Sequence, residues 1–233
     1  MDISQHRFKY YDLMMAAFVV VLICSNIIGP AKIASITVFG ESFLYGAGVL
    51  FFPLSYVFGD VLTEVYGYAR ARKVIWVGFV GVFFASIMST IIVALPPAPG
   101  WEGQDAYAMI FGQVPRIVMA SLLAFFVGEI INAYVMARMK LLTRGKYLWT
   151  RTIGSTIVGQ GADSLIFYPI AFFGIWNNDV LLTVMFSNFL IKVSWEAILT
   201  PVTYKIVGFL KKVEGVEIFD DKTDFTPFKI ATD

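Results

Sequence analysis

The chain is poor in charge, cysteine and histidine. Each shortage removes a class of function. One cysteine, Cys24, lies within an apolar run, so an intramolecular disulfide and a cysteine-rich metal site are both excluded. Its expected place is that of a small buried residue. The one histidine, His6, stands in the N-terminal segment, so no Ser–His–Asp arrangement forms within the apolar segments. Charged residues make up 15% of the chain, against about 25% in a soluble domain. The formal net charge of +1 provides no field to draw nucleic acid. No glycine-rich phosphate loop opens a soluble helix, so neither an ATP site nor any other cofactor is expected. The first apolar run is of span length and lacks a small-residue cleavage site, so it is expected to be retained.

Hydrophobic residues fill the gap, at 58% with a mean hydropathy of +0.73. That composition belongs to a protein integral to a membrane. Six runs of roughly 20 residues each match a hydrocarbon core of about 30 Å, at about 12–29, 43–66, 74–95, 116–137, 153–175 and 180–204. Pro53 is expected to kink the second. Residues 31–42 form a linker, with 36–39 briefly extended or the whole a re-entrant turn. Residues 107–111 read as a short interfacial helix. Lys and Arg gather in the N-terminal segment, after the second and fourth runs and in the tail, which places both termini in the cytoplasm. The expectation is an all-α membrane protein of one bundle over residues 1–210, with a charged cytoplasmic tail over 211–233.

Polar residues inside those runs carry the functional signal. The stretch 52–72 holds Asp60 and Glu64 four residues apart, hence on one helical face. Glu129 and Asn132 are three apart, as are Gln160 and Asp163. Asn188, Lys192 and Glu196 climb one face in steps of four. None of these groups can face lipid cheaply, so they are expected to converge on one interior site. Each has a plainer reading beside it. Glu64 has Arg70 and Arg72 nearby to pair with at the interface. Lys192 and Glu196 are spaced for a structural ion pair, with Glu129 as another partner for Lys192. Asn26 is placed to cap or bridge helices.

Five acids, one lysine, amides and abundant aromatics suit the binding and movement of a small polar solute. A carboxylate accepts paired hydrogen bonds from a ring N–H and an exocyclic amine, amides offer both donors and acceptors, and aromatic rings sandwich a flat ring. Asp163 or Glu129 is expected to accept such an N–H pair. Gln160, Asn132 and Asn188 would address a carbonyl edge. Phe167, Tyr168 or Trp195 would stack, and Lys192 would neutralise neighbouring acids. Two other classes stay open: a passive binding subunit of a multi-component importer, and an intramembrane enzyme or structural membrane protein. Gly161-Ala162-Asp163 lacks the first glycine of the intramembrane aspartyl protease pattern.

The ordered motifs FPLSYVFGDVLTEVYGYARAR from Phe52, PRIVMASLLAFFVGE from Pro115 and LWTRTIGSTIVGQGADSLIFYPIAFFG from Leu148, then Lys192, Glu196 and Thr200-Pro201, cover nearly the whole chain except the tail. They resemble the queuosine precursor transporter family, also called the vitamin uptake transporter family. In the run at 116–137 acid and amide stand exchanged relative to that family's pattern. The resemblance implies six transmembrane helices similar to the substrate-binding subunits of energy-coupling vitamin transporters. It also implies an inner-membrane importer of guanine-like heterocycles: cyano- or aminomethyl-deazaguanine, or queuine. Asp60, Glu64, Gln160, Asp163, Lys192 and Glu196 fall on its motif positions. Lipid is the expected surrounding partner, with a homodimer allowed.

Overall fold

Helix α1, Tyr11–Ile27, carries the first apolar run and ends two residues before the expected boundary at 29. In the computed structural model, residues 6–28, 33–38, 41–46, 51–112, 115–175 and 177–229 are described. An antiparallel hairpin follows α1: β1, Ile33–Val38, pairs with β2, Glu41–Gly46, with Ile33 opposite Gly46 and Val38 opposite Glu41. The extended reading of residues 36–38 matches this hairpin, whereas a helical span starting near residue 43 does not. Residues 41–46 satisfy their backbone across the hairpin instead.

Helix α2 is Phe52–Tyr66, with Pro53 in its first turn. A backbone N–H missing there costs nothing, since the first turn has no intrahelical acceptor for it. Pro53 therefore starts the helix rather than kinking it. Fifteen residues rise only about 22 Å. Gly67, with φ of 81°, ends α2 and begins α3, Tyr68–Ala94. The short α4, Gln104–Phe111, starts three residues before the expected interfacial helix. Then come α5, Pro115–Leu142, α6, Leu148–Phe172, and α7, Asn178–Glu214. Asn177 caps α7 by accepting from the Asp179 N–H at 3.0 Å, and Gly215, with φ of 66°, closes it. Helix α7 thus continues past residue 204, the expected end of the sixth apolar run.

Among the described residues, three stretches are long and apolar enough to cross a membrane, one on α3, one on α4 and α5 and one on α7. The helices α2 and α6 are not among them. The first is short and acidic, and the second carries Arg151, Gln160 and Asp163. Large apolar side chains such as Phe84, Ile91, Leu165 and Ile198 point outward, as lipid-facing residues do. The short α2 sits among α1, α3, α5 and α7. From Val61 to Tyr66 it is almost wholly buried, including Glu64.

Candidate functional site: three layers of polar groups

Glycine brings the site-bearing helices together. A Cβ on Gly159 would sit 2.9 Å from the Gly128 carbonyl oxygen and 2.8 Å from Asn132 Cβ. One on Gly128 would sit 3.0 Å from Asp163 Cβ. The backbones of α5 and α6 therefore touch, as small residues permit in membranes. That contact sets Glu129 and Asn132 beside Gln160 and Asp163. On α2, Gly59 leaves room for Glu129 in the same way: a Cβ there would meet Glu129 Oε2 at 3.0 Å.

The first layer is a cavity of about 160 Å³, with space for on the order of ten water-sized positions. It lies between the C-terminal halves of α1 and α6 and the N-terminal halves of α2, α5 and α7. Asp163, Glu129, Gln160, Lys192, Asn188, Asn26 and Phe167 all line it, as does Tyr168. Lys192 Nζ donates to Asp163 Oδ2 at 2.6 Å. The Tyr56 hydroxyl donates to Gln160 Oε1 at 3.2 Å, and the Ser121 hydroxyl to Asn26 Oδ1 at 3.2 Å. Asn188 Nδ2 donates to the Val184 carbonyl of its own helix at 3.0 Å.

The second layer lies one turn deeper on α2, α5 and α7. Asn132 Nδ2 donates to Asp60 Oδ1 at 3.2 Å. Asp60 also faces Glu196, and neither side chain reaches solvent. Among the described residues, Asp60 Oδ2 and both Glu196 Oε atoms have no hydrogen-bond partner.

The third layer closes the opposite end. Glu64, buried, receives Arg151 Nη2 at 2.9 Å, Arg151 Nε at 3.2 Å and Lys211 Nζ at 2.6 Å. Lys140 Nζ adds an ion pair at 3.4 Å and donates to the Glu64 carbonyl at 2.8 Å. Arg151 also donates to the Thr143 hydroxyl at 3.1 Å and to the Lys146 carbonyl. Glu217, beyond α7, bridges Lys211 at 2.7 Å and Lys140 at 3.0 Å. Partial burial pushes the Glu217 carboxyl upward, but its two lysines outweigh that and hold it below the usual range. The chain after α7 docks on the start of α3. Asp220 accepts from the Tyr68 N–H at 3.1 Å, and Arg72 Nη1 donates to the Asp224 and Thr226 carbonyls at 2.6 Å each. Burial raises the Asp220 carboxyl despite its hydrogen bonds from Thr223 and Tyr68.

Not every expected residue reaches the cavity. Asn132, Asp60 and Glu196 lie beneath it rather than on its wall. Glu64 belongs to the closing cluster, and its partners are Arg151, Lys140 and Lys211 rather than Arg70 or Arg72. Lys192 pairs with Asp163 and not with Glu196. Trp195 is 38% exposed and does not line the cavity, because one residue along a helix turns a side chain about 100° from Glu196. Cys24 is only half-buried. Sequence reasoning missed Tyr56, Ser121 and Phe125 on the cavity wall. Steps of four from Asp60 and from Glu129 reach all three. Arg151 belongs to the basic stretch after the fourth apolar run, and no spacing within one helix points it at Glu64.

Known proteins supply an independent comparison. The family model described as "Putative vitamin uptake transporter" matches residues 46–206. A "Probable queuosine precursor transporter" of Bacillus subtilis is 33% identical over 186 residues, 78% of each chain. The "Queuosine precursor transporter" of Escherichia coli is 30% identical over 125 residues, 54% of each chain. A "Probable queuosine precursor transporter" of Haemophilus influenzae is 32% identical over 126 residues, 54% of this chain and 51% of that one. No solved structure matches.

Proposed function

The chain belongs to the vitamin uptake transporter family, and from that premise we propose that it imports a queuosine precursor of the deazaguanine class. The observation that carries this reading is the cavity itself. Glu129, Gln160, Asp163, Asn188 and Lys192, from three helices, line one small space beside Phe167 and Tyr168. A guanine-like ring presents a ring N–H and an exocyclic amine on one edge and a carbonyl near them. Asp163 or Glu129 accepts the donor pair, Gln160 and Asn188 meet the carbonyl edge, and Phe167 or Tyr168 covers the ring face. Lys192 donates to Asp163 Oδ2 and fixes the aim of that carboxyl group. Asn132, Asp60 and Glu196 support this wall from below, Asn26 borders it, and Glu64 holds the helices at the far end.

The wider reading is a multi-pass protein of the inner membrane with six spans and both termini in the cytoplasm. Residues 1–210 form the transport unit, with 211–233 on the cytoplasmic side. The basic Lys140–Arg151–Lys211 layer then faces the cytoplasm, as the bias of Lys and Arg requires. The cavity lies toward the outside, where an importer collects its solute.

Binding of cyano-deazaguanine to purified protein, with guanine as competitor, tests the substrate class. Uptake by this chain alone in liposomes separates a self-sufficient carrier from a binding subunit that needs an ATP-driven partner. Asp163→Ala is expected to abolish uptake while folded protein persists in the membrane. Normal uptake by that variant removes Asp163 from the site.

A further inference from the structure

We propose that Asp60 and Glu196 form a proton-binding site directly behind the solute cavity, and that its occupancy is coupled to transport. The proposal rests on the importer reading for its role, but on geometry for its existence. The Asp60 and Glu196 carboxyls lie within hydrogen-bonding reach of each other on facing helices, α2 and α7. Neither is exposed to solvent. Two ionised carboxylates have no proton to donate, and three of their four oxygens have no hydrogen-bond partner among the described residues. Asn132 Nδ2 supplies the single donor, to Asp60 Oδ1. One bound proton changes this arrangement. It bonds to an oxygen of either carboxyl, donates to the other, and leaves one negative charge where two would repel. Paired buried carboxyls in other proteins hold a proton in this way.

Among the described residues, the charged groups around the pair add no positive charge to replace that proton. On α5 the facing acid is Glu129, a third carboxyl, which also lines the cavity. On α7, Lys192 stands one turn before Glu196 but reaches Asp163 of α6. Arg151 of α6, Lys140 of α5 and Lys211 of α7 are drawn to Glu64. On α2, Tyr56 stands one turn above Asp60 and bonds Gln160. The charged residues of α1 and α3 (Asp12, Arg70, Arg72 and Lys73) all stand in the first turns of those helices, at the closed end. No group of three or more acidic, cysteine or histidine side chains among the described residues is placed to hold a metal ion. Glu129, between cavity and pair, gives the proton its route. A solute whose N–H pair docks on Glu129 or Asp163 alters the charge that the pair faces, and this links the two occupancies.

The test uses the full chain reconstituted in lipid and reads the proton without a solute. Infrared spectra near pH 7 are expected to show the carbonyl stretch of a protonated carboxyl, and Glu196→Gln and Asp60→Asn are each expected to reduce that band. A band unchanged in both variants, or absent from the unaltered protein, overturns the proposal. A second measurement uses cyano-deazaguanine as the probe in liposomes. An inward proton gradient is expected to raise its accumulation at least tenfold, and Glu196→Gln is expected to lose that rise. Accumulation driven only by a sodium gradient, or indifferent to any gradient, overturns the coupling. If the band behaves as expected but no deazaguanine enters, the proton site stands and the substrate reading falls, so the two failures are distinguishable.

Discussion

Asp60 and Glu64 lie one turn apart on the same face of the same helix, both sealed from solvent, yet their surroundings are opposite. Glu64 gathers Arg151, Lys140 and Lys211 around it. Asp60 has one amide donor and a second acid for a neighbour. A buried carboxylate met by several cations is a fastener: it ties α2 to α5, α6 and α7, and removing it strands three positive charges. A buried carboxylate that no cation meets contributes little to holding the helices, and the proposed proton site gives it a role. Both side chains end in a carboxyl group, so the difference lies in which neighbours the fold delivers.

Four changes break or sharpen that contrast. Glu64→Ala is the largest. Three basic groups lose their buried counter-charge, and a loss of about 3–5 kcal/mol is expected, read as a collapse in the yield of monodisperse protein in detergent. A variant as thermostable as the parent would mean that Glu64 fastens nothing. Gly159→Ala comes next. Its Cβ would press on the Gly128 oxygen and Asn132, so α5 and α6 must part. A cost of about 1–3 kcal/mol is expected in thermal melting, and a weakened solute affinity should accompany it.

Asp60→Asn is third and sharpens the comparison most directly. The amide keeps the shape and adds donors facing Glu196. A stability change within about 1 kcal/mol is expected, far below that of Glu64→Ala. Melting curves of the two variants, run side by side, decide whether paired and unpaired acids differ as argued.

The smallest effect belongs to Glu217. Its two lysines hold its carboxyl below the ordinary value of 4.5, so its contribution is present above that value and fades as pH falls below it. Its side chain is 46% exposed, which limits the loss to about 1 kcal/mol or less. Wild type and Glu217→Gln should therefore differ slightly in melting temperature near pH 7 and converge as pH falls well below 4.5. Asp220 runs the other way. Burial raises its carboxyl, so its ionisation weakens docking of the tail as pH rises, and hydrogen exchange over residues 216–229 should quicken in the same direction.

Much of the site was legible as a set of faces. Steps of three and four along each run picked out Glu129, Gln160, Asp163, Asn188 and Lys192, and all five reach one cavity. The same arithmetic reaches Tyr56 from Asp60 and Ser121 from Glu129. It failed for Trp195, whose aromatic type suggested stacking although its neighbour Glu196 turns inward and it turns outward. It also failed for residues 43–46. An apolar run there looked like the first half of a span, but residues 41–46 pair with 33–38, and Pro53 opens a helix of only fifteen residues.

Composition and spacing by themselves determined that this is a membrane protein, that its spans carry acids no lipid would tolerate, and which face of each helix those acids share. Those properties are local, because they follow from the cost of a charge in hydrocarbon and from 3.6 residues per turn. Only the tertiary structure decided that Glu64 meets Arg151, eighty-seven residues away, and that Asp60 meets Glu196 instead of a base. A helix can rotate about its axis and slide along its neighbour without any change in its own spacing. Contacts between helices, such as that of Gly128 with Gly159, fix both freedoms at once.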